Sequence, residues 1–533
     1  MSDHLSDSTS SPVSGSFTLL IGNSVALIFT AVGSVLVALM LSPSEYGLFS
    51  ITLVLPNMFC LFSDWGINQG LVRYIAQYGS SGKLGDVSDL ATTGYIIKFI
   101  IGSILSLILF LSADFLAVFL LKRPEIGGFI KLTSALVLSQ SIYSTAIAIL
   151  AGSEKMNYRA AINILQSIVK GGVSPLLVYL GYGISGVIFG HLFSFFIAAF
   201  IGLIFTRSIF NLSNRLQYKR VKENAKLLLL FGFPLYIGNI VLGFTLSIRG
   251  LLLSWFTSNE TIGNYSISSW FIIYIGIITS SIDVNLFSTF SKYNFKNETK
   301  KVKEIFQGSI RYFSMLLLPI ICLSIIVSKP LIYTIFADKY PQAPLLLSIR
   351  LIPIIFIGIG SAFNIGLLNS QAETRASALI IIISSLISII LSTIFIYYWG
   401  ITGLVSSYIL SSCIKYLLGV YIIRKKYNVE PNINHAIKIL ISSLISMVLT
   451  YAFLYYYSTL PLVDLFCGVT IFTVSILLVA PLIGVIEIFD INNLHSMLRG
   501  LKIIYPFTRP ILDFEYNILK LRSRITNRAL ENM

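Results

Sequence analysis

Apolar runs of about 20 residues follow one another along almost the whole chain, near 15–40, 46–70, 90–112, 126–150, 158–180, 184–206, 228–254, 262–290, 311–335, 345–369, 376–398, 401–423, 434–455 and 463–486. At about 1.5 Å of rise per residue, a helix of that length crosses a hydrocarbon core of about 30 Å. Lipid offers backbone groups no hydrogen bonds, so such segments must be helical or belong to a closed barrel. Barrel strands read as alternating segments of about ten residues, and these runs are longer and uniformly apolar. Only 11% of the 533 residues are charged, against about 25% in a soluble domain. The chain is expected to be an all-α, polytopic membrane protein of about fourteen transmembrane helices.

Its formal net charge of +15 invites a nucleic-acid reading, which the charge distribution removes. The basic residues gather in alternate loops: Arg207, Arg215, Lys219, Arg220, Lys222 and Lys226 after the sixth run, then Lys292 to Arg311 after the eighth, and Arg424 to Lys438 after the twelfth. The tail adds Arg499, Lys502, Arg509, Lys520, Arg522, Arg524 and Arg528. Loops at 41–46, 181–183, 257–262 and 399–401 hold no Lys or Arg. Positive loops stay cytoplasmic, so both termini are expected on the cytoplasmic side of the cell membrane and no nucleic-acid partner is expected. The first ten residues lack the basic start of a cleavable signal. Cys60, Cys322, Cys413 and Cys467 are scattered, without disulfide or metal spacing, and no metal or cofactor is expected.

The apolar part is written twice. Gly22-Asn23 recurs as Gly238-Asn239, and Gly47 and Ser50 recur as Gly263 and Ser266, at a shift of 216. At 217, Ser153 meets Ser370, and Gly183-Ile184-Ser185-Gly186 meets Gly400-Ile401-Thr402-Gly403. Six spans is an even number, so the copies share one orientation, as two parallel six-helix bundles. The expected organisation is a first bundle at 1–206, a basic linker at 207–227, a second bundle at 228–423, two extra helices at 424–486, and a basic amphipathic tail at 487–533. Gly47 and Gly263 follow short turns and read as helix-start and close-packing positions.

No Gly-Lys-Ser/Thr phosphate loop is present, nor His-Glu-x-x-His, Gly-x-Ser-x-Gly or a sizeable loop rich in carboxylates. No catalytic residue is assigned, and transport would draw on a gradient, the membrane potential or the cargo's own concentration. Ionisable residues inside spans cost about 3 kcal/mol or more and mark function. Lys98, Lys170, Arg249, Arg350 and Lys415 are the basic ones, and Asp64 and Asp283 the main acids. Lys170 precedes Gly171, Gly172 and Pro175, which are expected to open the helix onto a wet cavity. Snorkelling is the alternative for each cation, strongest for Arg350 and Lys415 and weakest for mid-span Lys170. The excess of cations points to an anionic cargo, with Lys98, Lys170, Arg249 and Arg350 as its binding residues. Asp283 and Asp64 are the candidates for ion coupling or charge balance. Arg249 stands opposite Gly33, and Lys170 opposite Ile387, across the repeat.

The stretch Leu41-Ser42-Pro43-Ser44-Glu45-Tyr46-Gly47-Leu48-Phe49-Ser50, then Gly70, Arg73, Tyr74 and Ala76, Phe233-Pro234 with Gly238, and Ile262-Gly263-Asn264-Tyr265-Ser266 resemble the polysaccharide transporter, or oligosaccharide flippase (Wzx-like), family of the multidrug/oligosaccharidyl-lipid/polysaccharide exporter superfamily. The resemblance covers about 15–425. It implies a multidrug-exporter-like (MATE-like) fold that flips a polyprenyl-linked oligosaccharide by alternating access. It also implies membrane lipids and envelope glycan assembly proteins as partners of a monomer. Many members carry an acid before the seventh-span arginine, where this chain has Ile248, so no coupling role transfers to that place. A peptidoglycan-precursor lipid flippase and a multidrug or cation antiporter remain alternatives. An embedded glycosyltransferase would need the catalytic loop that is missing.

Overall fold

The computed structural model describes residues 12–210, 218–291, 299–371, 373–499 and 505–531. All regular structure among them is helical. In order these are α1 (Pro12–Met40), α2 (Pro43–Thr52), α3 (Val54–Leu61), α4 (Ile67–Ser80), α5 (Leu84–Phe115), α6 (Gly127–Gly152), α7 (Met156–Leu177), α8 (Gly183–Phe210), α9 (Tyr218–Phe256) and α10 (Asn259–Ser291). Then come α11 (Thr299–Ile326), α12 (Ser328–Phe336), α13 (Ala343–Gly358), α14 (Ser361–Ser370), α15 (Thr374–Tyr427), α16 (Ile433–Tyr456), α17 (Pro461–Ile483), α18 (Ile488–Arg499) and α19 (Tyr505–Glu531). Among the described residues nine helical stretches are long and apolar enough to cross a membrane, or ten if the 44° bend between α13 and α14 lies within one span. The protein is a multi-pass membrane protein.

Two of those nine stretches, of 55 and 54 residues, are interrupted by glycine. Gly183 has φ 51° and ψ −132°, and Gly400 has φ 58° and ψ −141°. Glycine enters that region of backbone space without the strain a side chain brings. After Gly183 the chain turns back, and α8 packs along α7. The duplicated Gly-Ile-Ser/Thr-Gly motif is thus a duplicated backbone break. Lys122 and Ala337 form another near-matched pair, with φ 55° and 51°. Ser42 accepts from the Glu45 N–H in a reciprocal capping box, and Ser258, 216 residues on, accepts from the Thr261 N–H at 3.3 Å.

The chain forms two compact units, Met1–Ser266 with Ile389–Ile401, and Ile267–Ser388 with Thr402–Met533. In the first, Ile67, Leu71 and Ile75 of α4 pack with Leu90, Ala91 and Tyr95 of α5, Ala146 and Ile149 of α6, and Leu228 of α9. Also within this unit, the starts of α2 and α10 touch. A Cβ on Gly47 would lie 1.8 Å from the Asn259 carbonyl oxygen, and one on Gly263 would lie 2.1 Å from that of Pro43. Only hydrogen fits at either place. Beside this contact Arg123 donates to the Ser254 and Thr257 carbonyls and to the Asn259 side chain.

In the second unit α16 packs on α11 and α17. Arg311 of α11 pairs with fully buried Asp490 of α18. Ile491, Leu512 and Leu519 form a small apolar cluster that docks α19 through one face.

Candidate functional site

The second apolar run reads as one span but is built as three helices. Pro56 lacks the N–H that would bond to Thr52, and its ring crowds that carbonyl, so the helix bends at Leu53 (φ −78°, ψ −11°). A second break covers residues 62–66, where Trp65 (φ 50°) and Gly66 (φ 82°) are left-handed. A Cβ on Gly66 would fall 2.1 Å from the Gly232 backbone, so α9 reaches the break only because both residues are glycine. Side chains catch the released carbonyls: Ser63 Oγ donates to Cys60 O at 2.8 Å and Trp65 Nε1 to Phe62 O at 2.6 Å. Irregular backbone at membrane depth is tolerated where it lines a cavity or is buried in protein.

A cavity lies there. It holds about 270 Å³ and is lined by Cys60, Ser63, Asp64, Asn68, Lys98, Gln140, Ser141, Ser144, Tyr236 and Asn239, with Leu61 and Ile240. It begins where the same helices leave their apolar cluster: Lys98 is one turn past Tyr95 on α5, and Ser144 one turn before Ala148 on α6. Lys98 Nζ is 3.1 Å from Asp64 Oδ1; the lysine is 1% exposed and the aspartate 19%. The Asn68 N–H also reaches Asp64, at 3.3 Å. With its amide turned to satisfy both neighbours, Gln69 donates to Asp64 at 3.0 Å and accepts from Asn239 at 3.2 Å. Cys60 Sγ donates to Gln140 at 3.1 Å, Asn68 Nδ2 to Ser144 at 3.3 Å, and Tyr236 OH to Leu61 O at 2.6 Å. The buried Asn68 Oδ1 has no hydrogen-bond partner.

Lys170 occupies a different place in the same unit. Arg159, Asn163, Gln166, Lys170 and Ser174 recur every three or four residues and share one face of α7. Asn163 accepts from Tyr143 OH of α6 at 2.8 Å and donates to Asn23 of α1 at 3.2 Å. Gln166 donates to Ser194 of α8 at 3.2 Å. Next to this stripe the buried His191 stacks on Phe195, and its Nδ1 has no partner. Lys170 makes no ion pair among the described residues. Contrary to the expectation from sequence, the helix runs unbroken through Gly171 and Gly172. Instead Gly171 admits α1, since a Cβ on Gly33 would lie 2.3 Å from the Gly171 Cα. Small residues here let helices approach rather than unwind.

The other proposed residues are dispersed. Arg249 is half-buried on α9, one residue before Gly250, whose face meets Val54 of α3. Arg350 of α13, in the second unit, donates to Ser268 at 2.9 Å and Ser269 at 2.6 Å, both on α10. The side chain of Asp283 lies outside the described residues. Attention to charge alone passed over the uncharged members, Asn68, Gln140, Asn239 and His191. The signal available was an amide or imidazole in the middle of an apolar run.

The profile of a family described as "Polysaccharide biosynthesis protein" matches residues 36–345. An uncharacterized membrane protein of Methanocaldococcus jannaschii is 21% identical over 403 residues, covering 72% of this chain and 78% of that one. Among solved structures, the lipid II flippase MurJ in an inward closed conformation superposes with a TM-score of 0.70 at 16% identity, over 87% of this chain and 98% of that one. An inward-facing multidrug resistance MATE family transporter of the MOP superfamily gives 0.64 at 13% identity, over 77% and 98%. A MOP superfamily transporter from Pyrococcus furiosus gives 0.54 at 16% identity, over 78% and 94%. At such identities these structures establish a common fold and no more.

Proposed function

Because the chain belongs to the family of polysaccharide biosynthesis proteins, we propose that it is a flippase that carries a polyprenyl-linked oligosaccharide across the cytoplasmic membrane by alternating access. The polyprenyl tail stays in lipid, while the sugars and phosphates need a polar path. The observation that carries this reading is Lys170: a cation halfway along a membrane helix, in a polar stripe, with no described carboxylate to neutralise it. Placing a charge there costs about 3 kcal/mol or more. An anionic phosphate would supply a counter-charge for Lys170, and Arg249 would be a second contact for the phosphates.

On this reading both termini are cytoplasmic, set by the basic loops, and the protein acts as a monomer alongside envelope glycan assembly proteins. The bundles are 1–206 and 228–423, and no step is enzymatic. A multidrug antiporter needs a carboxylate for cationic cargo, and Asp64 is already matched by Lys98. The lipid II flippase fold favours a related lipid-linked cargo for this chain as the second reading. Replacing the wild-type protein with Lys170→Ala or Arg249→Ala at equal abundance should leave complete lipid-linked oligosaccharide on the cytoplasmic leaflet. Normal glycan export by both variants would remove the assignment of these residues.

A further inference from the structure

The cavity at the break in the second span has a chemistry that phosphate does not use. It contains one lysine and one aspartate, 3.1 Å apart, so its walls carry no net charge. A phosphate brought to Lys98 would lie against the Asp64 carboxylate and be repelled by it. The rest of the lining is different in kind. Asn68, Gln140 and Asn239 carry amides that both donate and accept, and Ser144 and Tyr236 carry hydroxyls that do the same. Asn68 Oδ1 is a buried acceptor with no donor, which native interiors rarely leave unmade.

Size narrows the occupant further. The volume of about 270 Å³ is on the scale of one sugar ring. At the break itself, Trp65 is held at φ 50° and is 46% exposed. A bulky residue with positive φ is strained, and such strain gathers at functional sites. Trp65 directly follows Asp64 in the chain, and its indole donates to the Phe62 carbonyl and lies 6.3 Å from the Phe233 ring.

We infer that this cavity is a sugar-ring subsite, in which Asn68, Gln140 and Asn239 bond to the hydroxyls of a single uncharged monosaccharide of the cargo while the Lys98–Asp64 pair keeps anions out. The inference rests on the flippase reading and divides the labour within it: Lys170 and Arg249 meet the phosphates, and the cavity meets the glycan. Lys98 therefore shapes the receptor for sugar and does not bind phosphate.

The test uses the full-length protein in lipid nanodiscs and two probes. One is polyprenyl pyrophosphate without sugar; the other is polyprenyl-pyrophosphate-linked oligosaccharide extracted from cells that lack this protein. Wild type should bind the sugar-bearing probe about tenfold or more tightly, the scale of one or two buried hydrogen bonds. The double variant Gln140→Ala/Asn239→Ala should lose that difference and keep its affinity for the sugar-free probe. If it loses both, the near-isosteric Asn68→Leu decides, and should erase the difference alone. Equal wild-type affinity for the two probes overturns the subsite, as does a difference that survives both variants. Failure of wild type to bind either probe overturns the flippase reading itself, and the subsite with it.

Discussion

The Lys98–Asp64 pair makes a quantitative prediction about stability. Lys98 is 1% exposed, and Asp64 is the only side chain its ammonium bonds among the described residues. Replacing Asp64 with Leu strands a buried cation, which costs about 3–5 kcal/mol. Replacing Lys98 with Met strands a carboxylate that is 19% exposed and keeps the Asn68 N–H. We expect a smaller loss there, about 2 kcal/mol, discounted for solvent. The double variant Lys98→Met/Asp64→Leu leaves no charge and should fall within about 1 kcal/mol of wild type. The coupling energy from the cycle should therefore be about 4 kcal/mol or more, well beyond the additivity error of about 0.5 kcal/mol. The assay is equilibrium unfolding of the protein in mild detergent, titrated with a denaturing detergent and followed by loss of helical circular dichroism. Single variants within 0.5 kcal/mol of wild type, or a double variant as unstable as the sum of the singles, would refute the argument.

Gly47→Ala drives a methyl into the Asn259 carbonyl, whereas Gly79→Ala meets nothing within 4 Å; glycan export at matched abundance should drop at least about tenfold for the first and stay unchanged for the second. Arg123→Ala removes the donors that hold residues 254–259, and amide exchange there should quicken about tenfold or more while α6 stays protected. Burial pushes the Glu515 carboxyl of α19 up to about 7. Its docked form is thus the protonated one, so docking is favoured below the ordinary carboxylate value and weakens as pH rises through 7. Limited proteolysis of the tail should be slower at pH 5.5 than at pH 8.5, and Glu515→Gln should abolish the difference.

Positions that had to be glycine twice were legible in the sequence. Gly183 and Gly400 repeat because one backbone break repeats, and Gly47 and Gly263 because two helix starts meet. The apolar runs announced the membrane-spanning helices for an equally simple reason. The break at 62–66 was not legible, because Phe62, Trp65 and Ile67 keep the run apolar while Gly232, far along the chain, supplies the opposing surface. Nor could spacing reveal that Lys98 faces Asp64, 34 residues away. Gly171 beside Lys170 looked like a helix breaker, yet in a membrane a glycine can equally be the place where another helix comes close. The amides were not singled out because they carry no charge, although Asn68, Gln140 and Asn239 all line the cavity.

Transbilayer movement measured on the purified protein tests the central claim most directly. Proteoliposomes carrying lipid-linked oligosaccharide are probed with a glycan-modifying reagent that cannot cross the membrane. Wild type should render the inner-leaflet pool accessible far faster than protein-free liposomes, and Lys170→Ala should lose that acceleration while remaining folded. Movement no faster than in protein-free liposomes, or equal rates for wild type and Lys170→Ala, would contradict the account.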